Sequence, residues 1–232
     1  MKLSVIIPVY NEEKTVADVI RAVKNCGIPE LEIVVVNDCS SDNTAAALRE
    51  FETDPQVVIV SHPENRGKGA AIRSGQPRTT GDAVVIQDAD LEYDPGDLPR
   101  LFALIESGRA DVVYGSRYSG EAKMVDKYWH YRVNRFLTGF SNVLSNLHLT
   151  DMETCYKMIR GDVFRKLHLT ADRFGIEPEL TAKLADLDLR IYEMPISYLP
   201  RKSSGGKKIG WRDGLAAMWF IVKYNWFSRK QK

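Results

Sequence analysis

Short apolar, β-branched runs alternate along the chain with segments whose apolar residues recur every three or four positions. The runs are Leu3–Val9, Glu32–Val36, Val57–Val60, Ala83–Ile86 and Asp111–Tyr114. Runs this short predict strands, and Glu32–Val36 (EIVVV) predicts one buried on both faces. Glu12–Cys26 sets Val16, Val19, Ile20 and Val23 at helical spacing. Ser41–Phe51, with Asp42 in its first turn, predicts a second helix. A third begins in Gly67–Ser74, and Leu98–Ile105 predicts a fourth. Strands alternating with helices imply an α/β fold, with a mostly parallel central sheet flanked by helices. The second half is less regular. Lys127–Leu147 predicts one long helix, Thr150–Ile159 a loop then a strand, Glu177–Leu187 a helix and Arg190–Met194 a strand. Arg201–Gly210 reads as a flexible Ser/Gly/Lys loop and Trp211–Phe227 as a final aromatic-rich helix. No internal repeat is visible. The expected organisation is a body, 1–210, and a C-terminal aromatic and basic helix, 211–232.

Parallel sheets bind ligands beyond the carboxyl ends of their strands. The residues that follow the predicted strands are polar or charged in every case: Tyr10-Asn11-Glu12, 37–42, 62–69, Asp88-Ala89-Asp90-Leu91-Glu92 and Gly115-Ser116-Arg117-Tyr118. A purely structural domain has no need for such a cluster.

Asp88-Ala89-Asp90 carries the sharpest chemistry. Two carboxylates at a strand tip suit a hard divalent cation, Mg²⁺ or Mn²⁺, with positions left for diphosphate oxygens. Glu92 offers a third oxygen ligand. Asp38 reads as an acceptor for a base or ribose edge, because Ser41 and Asp42 are the better helix caps. Gly67-Lys68-Gly69 is neither a dinucleotide fingerprint nor a P-loop: Ile72 and Gly69 stand where those motifs need other residues. It reads as a flexible turn carrying one cation, Lys68. No Gly-x-Ser-x-Gly is present, and Cys155 near His148 reads as a buried thiol beside a surface histidine.

Composition narrows the class. The chain has 232 residues, 44% hydrophobic and 27% charged, which are ordinary globular values. Its three cysteines form no Cys-x-x-Cys, so a disulfide scaffold and a zinc ribbon are excluded and a reducing, cytoplasmic compartment is expected. No stretch is long enough for a signal peptide or a membrane-spanning helix. The formal charge is +1, but residues 201–232 carry +8 and the first 200 carry −7. A basic tail on an acidic body points to a phosphate-rich partner or an anionic membrane surface.

Taken in order, Pro8-Val9-Tyr10-Asn11-Glu12, Val36-Asn37-Asp38-Cys39-Ser40, Gly67-Lys68-Gly69, Gln87-Asp88-Ala89-Asp90-Leu91-Glu92 and Gly115-Ser116-Arg117-Tyr118 resemble the family 2 glycosyltransferases, in particular the polyprenyl-phosphate mannose and glucose synthases. The resemblance covers essentially the whole chain. It implies a GT-A type nucleotide-sugar-binding fold over 1–210 and an inverting hexose transfer from GDP-mannose or UDP-glucose to a polyprenyl phosphate. It implies that Pro8, Tyr10, Glu12, Val36 and Asp38 hold the nucleoside. Asp88, Ala89 and Asp90, with Lys68, would face the diphosphate, and Asp88, Asp90 and Glu92 would take the metal. Arg201 and Lys207 would close over the donor phosphates. Arg117 and Arg132 would receive the lipid phosphate, and Asp151 would stand near the reacting sugar, as an orienting group or as a base. No nucleic-acid partner is implied.

Two departures from the resemblance bear on these expectations. Asn37 stands where many relatives have a second Asp, and the chain stops at Lys232 where many relatives continue into transmembrane helices. A peripheral attachment to the cytoplasmic face of a membrane is therefore expected. The aromatic residues of 211–232 with Lys223, Arg229, Lys230 and Lys232 would supply it, or else a membrane protein partner would. The rival readings are a transferase with a soluble or polysaccharide acceptor, and a catalytically silent nucleotide-sugar-binding subunit. Intact Asp88 and Asp90 argue against the silent subunit.

Overall fold

The computed structural model describes residues 1–120, 125, 127–201 and 211–227. Its strands are β1 (Leu3–Val9), β2 (Leu31–Asn37), β3 (Val57–Ser61), β4 (Ala83–Ile86), β5 (Val112–Ser116), β6 (Lys157–Arg160) and β7 (Ile191–Pro195). They form one sheet in the order β3-β2-β1-β4-β6-β5-β7. β1 pairs in parallel with β2 and β4, β2 with β3, and β5 with β7, while β6 runs antiparallel to both β4 and β5. The sheet is thus mostly parallel, as its pattern predicts.

The centre is apolar throughout. Ile6 and Ile7 of β1, Val34 and Val35 of β2 and Val85 of β4 are fully buried. Each contributes roughly 1.5–3 kcal/mol relative to an exposed side chain. Helices α1 (Val16–Lys24), α2 (Thr44–Leu48), α3 (Lys68–Gly75), α4 (Leu98–Glu106), α5 (Tyr128–Ser145), α6 (Gly161–Lys166), α7 (Ile176–Ala185) and α8 (Trp211–Val222) flank the sheet or pack on one another. A wider helical turn, Lys223–Phe227, follows α8. α8 lies against α5 and α7, and Ile221 and Tyr224 are buried in the common core.

The early helices start later than their apolar spacing predicts, because side chains cross-link the loops before them. The Asn11 carboxamide oxygen accepts the Ser41 N–H at 2.8 Å, Glu13 accepts the Asn43 N–H at 2.9 Å, and Asp42 accepts the Glu13 N–H at 3.1 Å. α1 therefore begins at Val16 and α2 at Thr44, leaving Glu12 and residues 38–43 at the sheet edge. The predicted flexible turn at Gly67-Lys68-Gly69 is instead the tight start of α3. A Cβ on Gly69 would stand 2.3 Å from the Ala171 carbonyl oxygen, and Gly67 has φ of 97°. α6 has no counterpart in the predicted elements.

Candidate active site

Six strands end at one edge of the sheet, and the reversed β6 begins there. Charged residues consequently collect at that edge. Three turns there hold non-glycine residues in the left-handed region, Asn11 (φ 57°), Cys39 (60°) and Leu91 (60°). For Leu91 this is an uncommon conformation. It bends the chain within the acidic motif, where Asp90 accepts the Glu92 N–H at 3.1 Å.

Asp38 is not left free. Its carboxylate accepts the Arg66 N–H at 2.9 Å and the Gly67 N–H at 2.7 Å, and it lies 2.6 Å from Nδ1 of His62. The His62 Nε2 stands 2.8 Å from Ser74 Oγ. The β3–α3 loop folds back over the tip of β2, and two of its half-buried amides find their acceptor there. Asp38 supplies it and so fixes where α3 starts. Val36 is fully buried within β2, so its side chain cannot reach a ligand, whereas Tyr10 is exposed.

Lys68, the first residue of α3, reaches Asp88 at 2.8 Å and Glu177 of α7 at 2.9 Å. Burial works against its charge, but Asp88 and the neighbouring Cys155 and Glu177 raise its pKa well above the ordinary lysine value. Cys155 is buried below it, with Sγ 3.4 Å from the Ile86 carbonyl oxygen, and burial pushes its thiol well up. His148 is exposed, so the two form no nucleophile–base arrangement. The Ala89 carbonyl oxygen accepts the Thr15 hydroxyl at 2.7 Å, which ties the acidic motif to α1.

Arg201 spans the opposite side. Its guanidinium is 2.7 Å from Glu12 and 3.7 Å from the Asp90 carboxylate, and its Nε donates to the Asp90 carbonyl oxygen at 3.2 Å. Glu92 departs from its expected metal role. Its two oxygens accept the Tyr198 hydroxyl at 2.7 Å and the Arg201 N–H at 3.1 Å, anchoring the chain beyond β7. No group of three His, Cys, Asp or Glu side chains converges as a metal site among the described residues. Asp88 and Asp90 remain, each beside a protein cation and each partly open to solvent. Two carboxylates fit a hard divalent ion that keeps coordination positions for diphosphate oxygens.

Arg117 and Asp151 form the second cluster. Nε and one terminal nitrogen of Arg117 donate to the two oxygens of Asp151 at 2.7 and 2.8 Å, and the Arg117 N–H adds a third bond at 3.1 Å. Asn134 of α5 donates to the same carboxylate at 3.1 Å. Burial opposes the charge of Arg117, and Tyr93 and Asp151 more than offset it. The guanidinium also lies 5.2 Å from the Tyr198 ring. Asp151 is 0% exposed, so it does not meet the sugar as the sequence reading placed it. Its oxygens are taken up by the neighbouring donors, which makes it the buried counter-ion of Arg117. Arg132 is separate, exposed on the outer side of α5 beside Arg135 and Phe136. Lys207 lies outside the described residues.

The sequence reading missed Glu177, Lys157, Glu153 and Asn134. Glu153 is two residues past Asp151, and one of its oxygens is buried without a hydrogen-bond partner. Burial and then Glu177 push its pKa up, while burial lowers that of Lys157. No local spacing ties these residues together. Glu153 and Lys157 sit at the start of β6, where a search of strand exits does not look, and Asn134 and Glu177 reach that region from α5 and α7.

A mostly parallel α/β sheet with paired acids after β4, flanked by Lys68 and Arg201, is the architecture of a GT-A type fold. The fold agrees with glucosyl-3-phosphoglycerate synthase from Mycobacterium tuberculosis, crystallised with Mn²⁺, UDP and phosphoglyceric acid (TM-score 0.74, 19% identity, 97% of this chain and 78% of that one). It also agrees with residues 1–349 of TarS from S. aureus with UDP-GlcNAc (TM-score 0.64, 20% identity, 97% of this chain and 66% of that one). The chain belongs to glycosyl transferase family 2, whose model matches residues 4–168. It is 31% identical over 239 residues to undecaprenyl-phosphate mannosyltransferase of Micrococcus luteus, covering 94% of this chain and 96% of the relative. It is 32% identical over 219 residues to the low-salt glycan biosynthesis hexosyltransferase Agl6 of Haloferax volcanii, where the match covers 90% of this chain but spans only about half, 51%, of the relative.

Proposed function

We propose that this protein is an inverting hexosyltransferase that moves mannose or glucose from a nucleoside diphosphate sugar to a polyprenyl phosphate. One observation carries the reading: two acid–cation sets, Asp88 with Lys68 and Asp90 with Arg201, share an edge with a separately anchored guanidinium, Arg117. That arrangement suits two phosphate groups, one leaving and one entering. The name of the Micrococcus relative supports both a mannosyl donor and an undecaprenyl-phosphate acceptor.

In this reading an acceptor phosphate oxygen attacks C1 of the sugar. The bond from C1 to the diphosphate breaks with inversion, and its electron pair leaves on the nucleoside diphosphate. The acceptor has a second pKa near 6 and is largely anionic at pH 7, so no strong base is needed. Asp151 holds Arg117 in register, and the N–H groups of Arg117 not committed to Asp151 meet the acceptor phosphate. Lys68 and Arg201, joined by Lys207, neutralise charge developing on the donor diphosphate. Glu12, Tyr10, Pro8 and the backbone near Val36 and Asp38 form the nucleoside side. Asp88 and Asp90 would hold Mg²⁺ or Mn²⁺, which when bound stabilises the diphosphate leaving group.

No helix among the described residues is long and apolar enough to cross a membrane. We assign the protein a peripheral place on the cytoplasmic face of the acceptor's membrane, with 211–232 as its basic and aromatic appendage. The test is transfer from labelled GDP-mannose or UDP-glucose to undecaprenyl phosphate with Mg²⁺ or Mn²⁺, followed by partition into organic solvent. Label in the organic phase supports the reading. Label transferred only to water-soluble acceptors, or nucleotide-sugar binding without transfer, overturns it.

A further inference from the structure

Residues 151–155 run between the two cation sets. At one end Asp151 is bonded to Arg117. At the other, Cys155 Sγ lies 3.9 Å from Lys68 Nζ, which also reaches Asp88 and Glu177. Four residue steps extend at most about 14 Å. The cation assigned to the entering phosphate and the one assigned to the leaving diphosphate are thus anchored at two nearby points of the chain. Glu153 is midway between those points. The charges that act on it belong to both ends: Glu177 and Lys157, then Arg117 and Asp151. Its Oε1 is buried without a hydrogen-bond partner among the described residues. Leaving a carboxylate oxygen so is costly. Lys157 does not relieve it: its ammonium donates to the Thr154 carbonyl oxygen and lies 5.4 Å from the centre of the Tyr114 ring. The Thr154 hydroxyl, on a fully buried side chain, has no partner either. Glu153 itself is half-buried rather than sealed, so a ligand can reach its carboxylate.

We propose that Glu153 receives hydroxyl groups of the donor's hexose and so reads the sugar, apart from the cations that hold the phosphates. The proposal rests on the hexosyl-transfer reading and deepens it, because the sugar is what lies between a leaving and an entering phosphate. A carboxylate suits the task. It only accepts hydrogen bonds, a hexose ring presents adjacent hydroxyl donors, and two such donors can share its oxygens. The other acids of the site are engaged. Lys68 holds Asp88 and Glu177, Arg201 holds Asp90, and Arg117 with Asn134 takes up Asp151. Glu153 is the one of these five with no such bond among the described residues. Burial and the like charge of Glu177 raise its pKa, and hydroxyl donors would relieve both.

The test is calorimetric titration of the full chain, with Mg²⁺ or Mn²⁺ and no acceptor. Two pairs of probes are used: GDP with GDP-mannose, and UDP with UDP-glucose. Parent, Glu153→Ala and Glu153→Gln are compared. For the pair that the parent binds, the sugar nucleotide should lose at least about tenfold in affinity in Glu153→Ala, the effect of removing a hydrogen bond to a charged group. Glu153→Gln should lose less, about threefold, because its amide oxygen still accepts. The nucleoside diphosphate should bind all three proteins alike. Glu153→Gln removes a charge that no donor holds, so its melting temperature should equal or exceed the parent's, and it decides the question where the alanine variant does not fold. Unchanged sugar-nucleotide affinity overturns the proposal, as does an equal loss for both members of the pair. A clear drop in the melting temperature of Glu153→Gln overturns it in favour of a structural ion pair with Lys157. A parent that binds neither sugar nucleotide overturns the transferase reading and this proposal with it. Because no acceptor is present, the expected binding pattern without transfer to undecaprenyl phosphate overturns the acceptor reading alone.

Discussion

Lys68 Nζ lies 2.8 Å from Oδ1 of Asp88, joining the first turn of α3 to the acidic tip of β4. The contact ties the residue expected to hold a metal to a cation expected to meet the donor phosphates. Arg201 does the same for Asp90 from the other side.

Asp90→Ala should reduce transfer by about 100-fold or more while leaving the fold intact, since the side chain is partly exposed at a strand tip. Initial rates at saturating Mg²⁺ or Mn²⁺, with a melting curve, check this. Near-parental turnover would remove Asp90 from the site.

Asp151→Ala should destabilise the protein by about 3–5 kcal/mol, because it leaves the Arg117 guanidinium buried without its counter-ion. Replacing both members, Arg117→Met with Asp151→Leu, should cost clearly less stability than the sum of the single changes. Urea unfolding of the four proteins measures the coupling. Additive losses would show that the pair does not act as a unit.

Gly69→Ala should cost about 1–3 kcal/mol, although alanine favours helices. Its methyl would meet the Ala171 carbonyl oxygen, a backbone atom that cannot swing away. The displacement passes to Lys68, so the KM for the sugar nucleotide should rise with the loss of stability. A neutral or stabilising outcome would mean that the 171–173 segment yields freely.

The acid limb of stability should depend on Asp111. Hydrogen bonds from Arg190 hold its pKa at about 2, against an ordinary 3.8, and Arg160 adds to the effect. The unfolded chain takes up this proton first as pH falls. The stabilisation is therefore complete above pH about 4 and is lost as pH drops through about 2. The stability difference between parent and Asp111→Asn should narrow over that window. A difference independent of pH between 5 and about 2 would contradict the assignment.

The sheet was legible because β1, β2 and β4 are buried on both faces and leave runs of apolar residues. Helix starts were less legible, since the bonds that delay α1 and α2 join Asn11 to Ser41 and Glu13 to Asn43 across about 30 positions. α6 was missed because it is six residues long and opens on Gly161. At the site, Asp88, Asp90, Lys68 and Arg117 could be found beside strand ends, and Arg201 only through the family resemblance. The engagement of Asp38 could not, since its partners are backbone amides nearly 30 residues away. The bond from Asn134 to Asp151 was equally hidden, since nothing near Asn134 in the sequence singles it out.

The reversal of β6 has a consequence for how such a site can vary. A loop that leaves a strand at the reaction edge can lengthen or shorten without moving the strand behind it. Residues 151–156 enter the edge before their strand begins, held by Asn134 and Thr138 upstream and by the β6 ladder downstream. An inserted residue there would slip the register of β6 or rotate α5, and either change would carry the Arg117–Asp151 pair with it. Divergence in donor and acceptor preference should therefore accumulate in the exit loops, while the entry segment serves as the fixed datum from which their reach is measured.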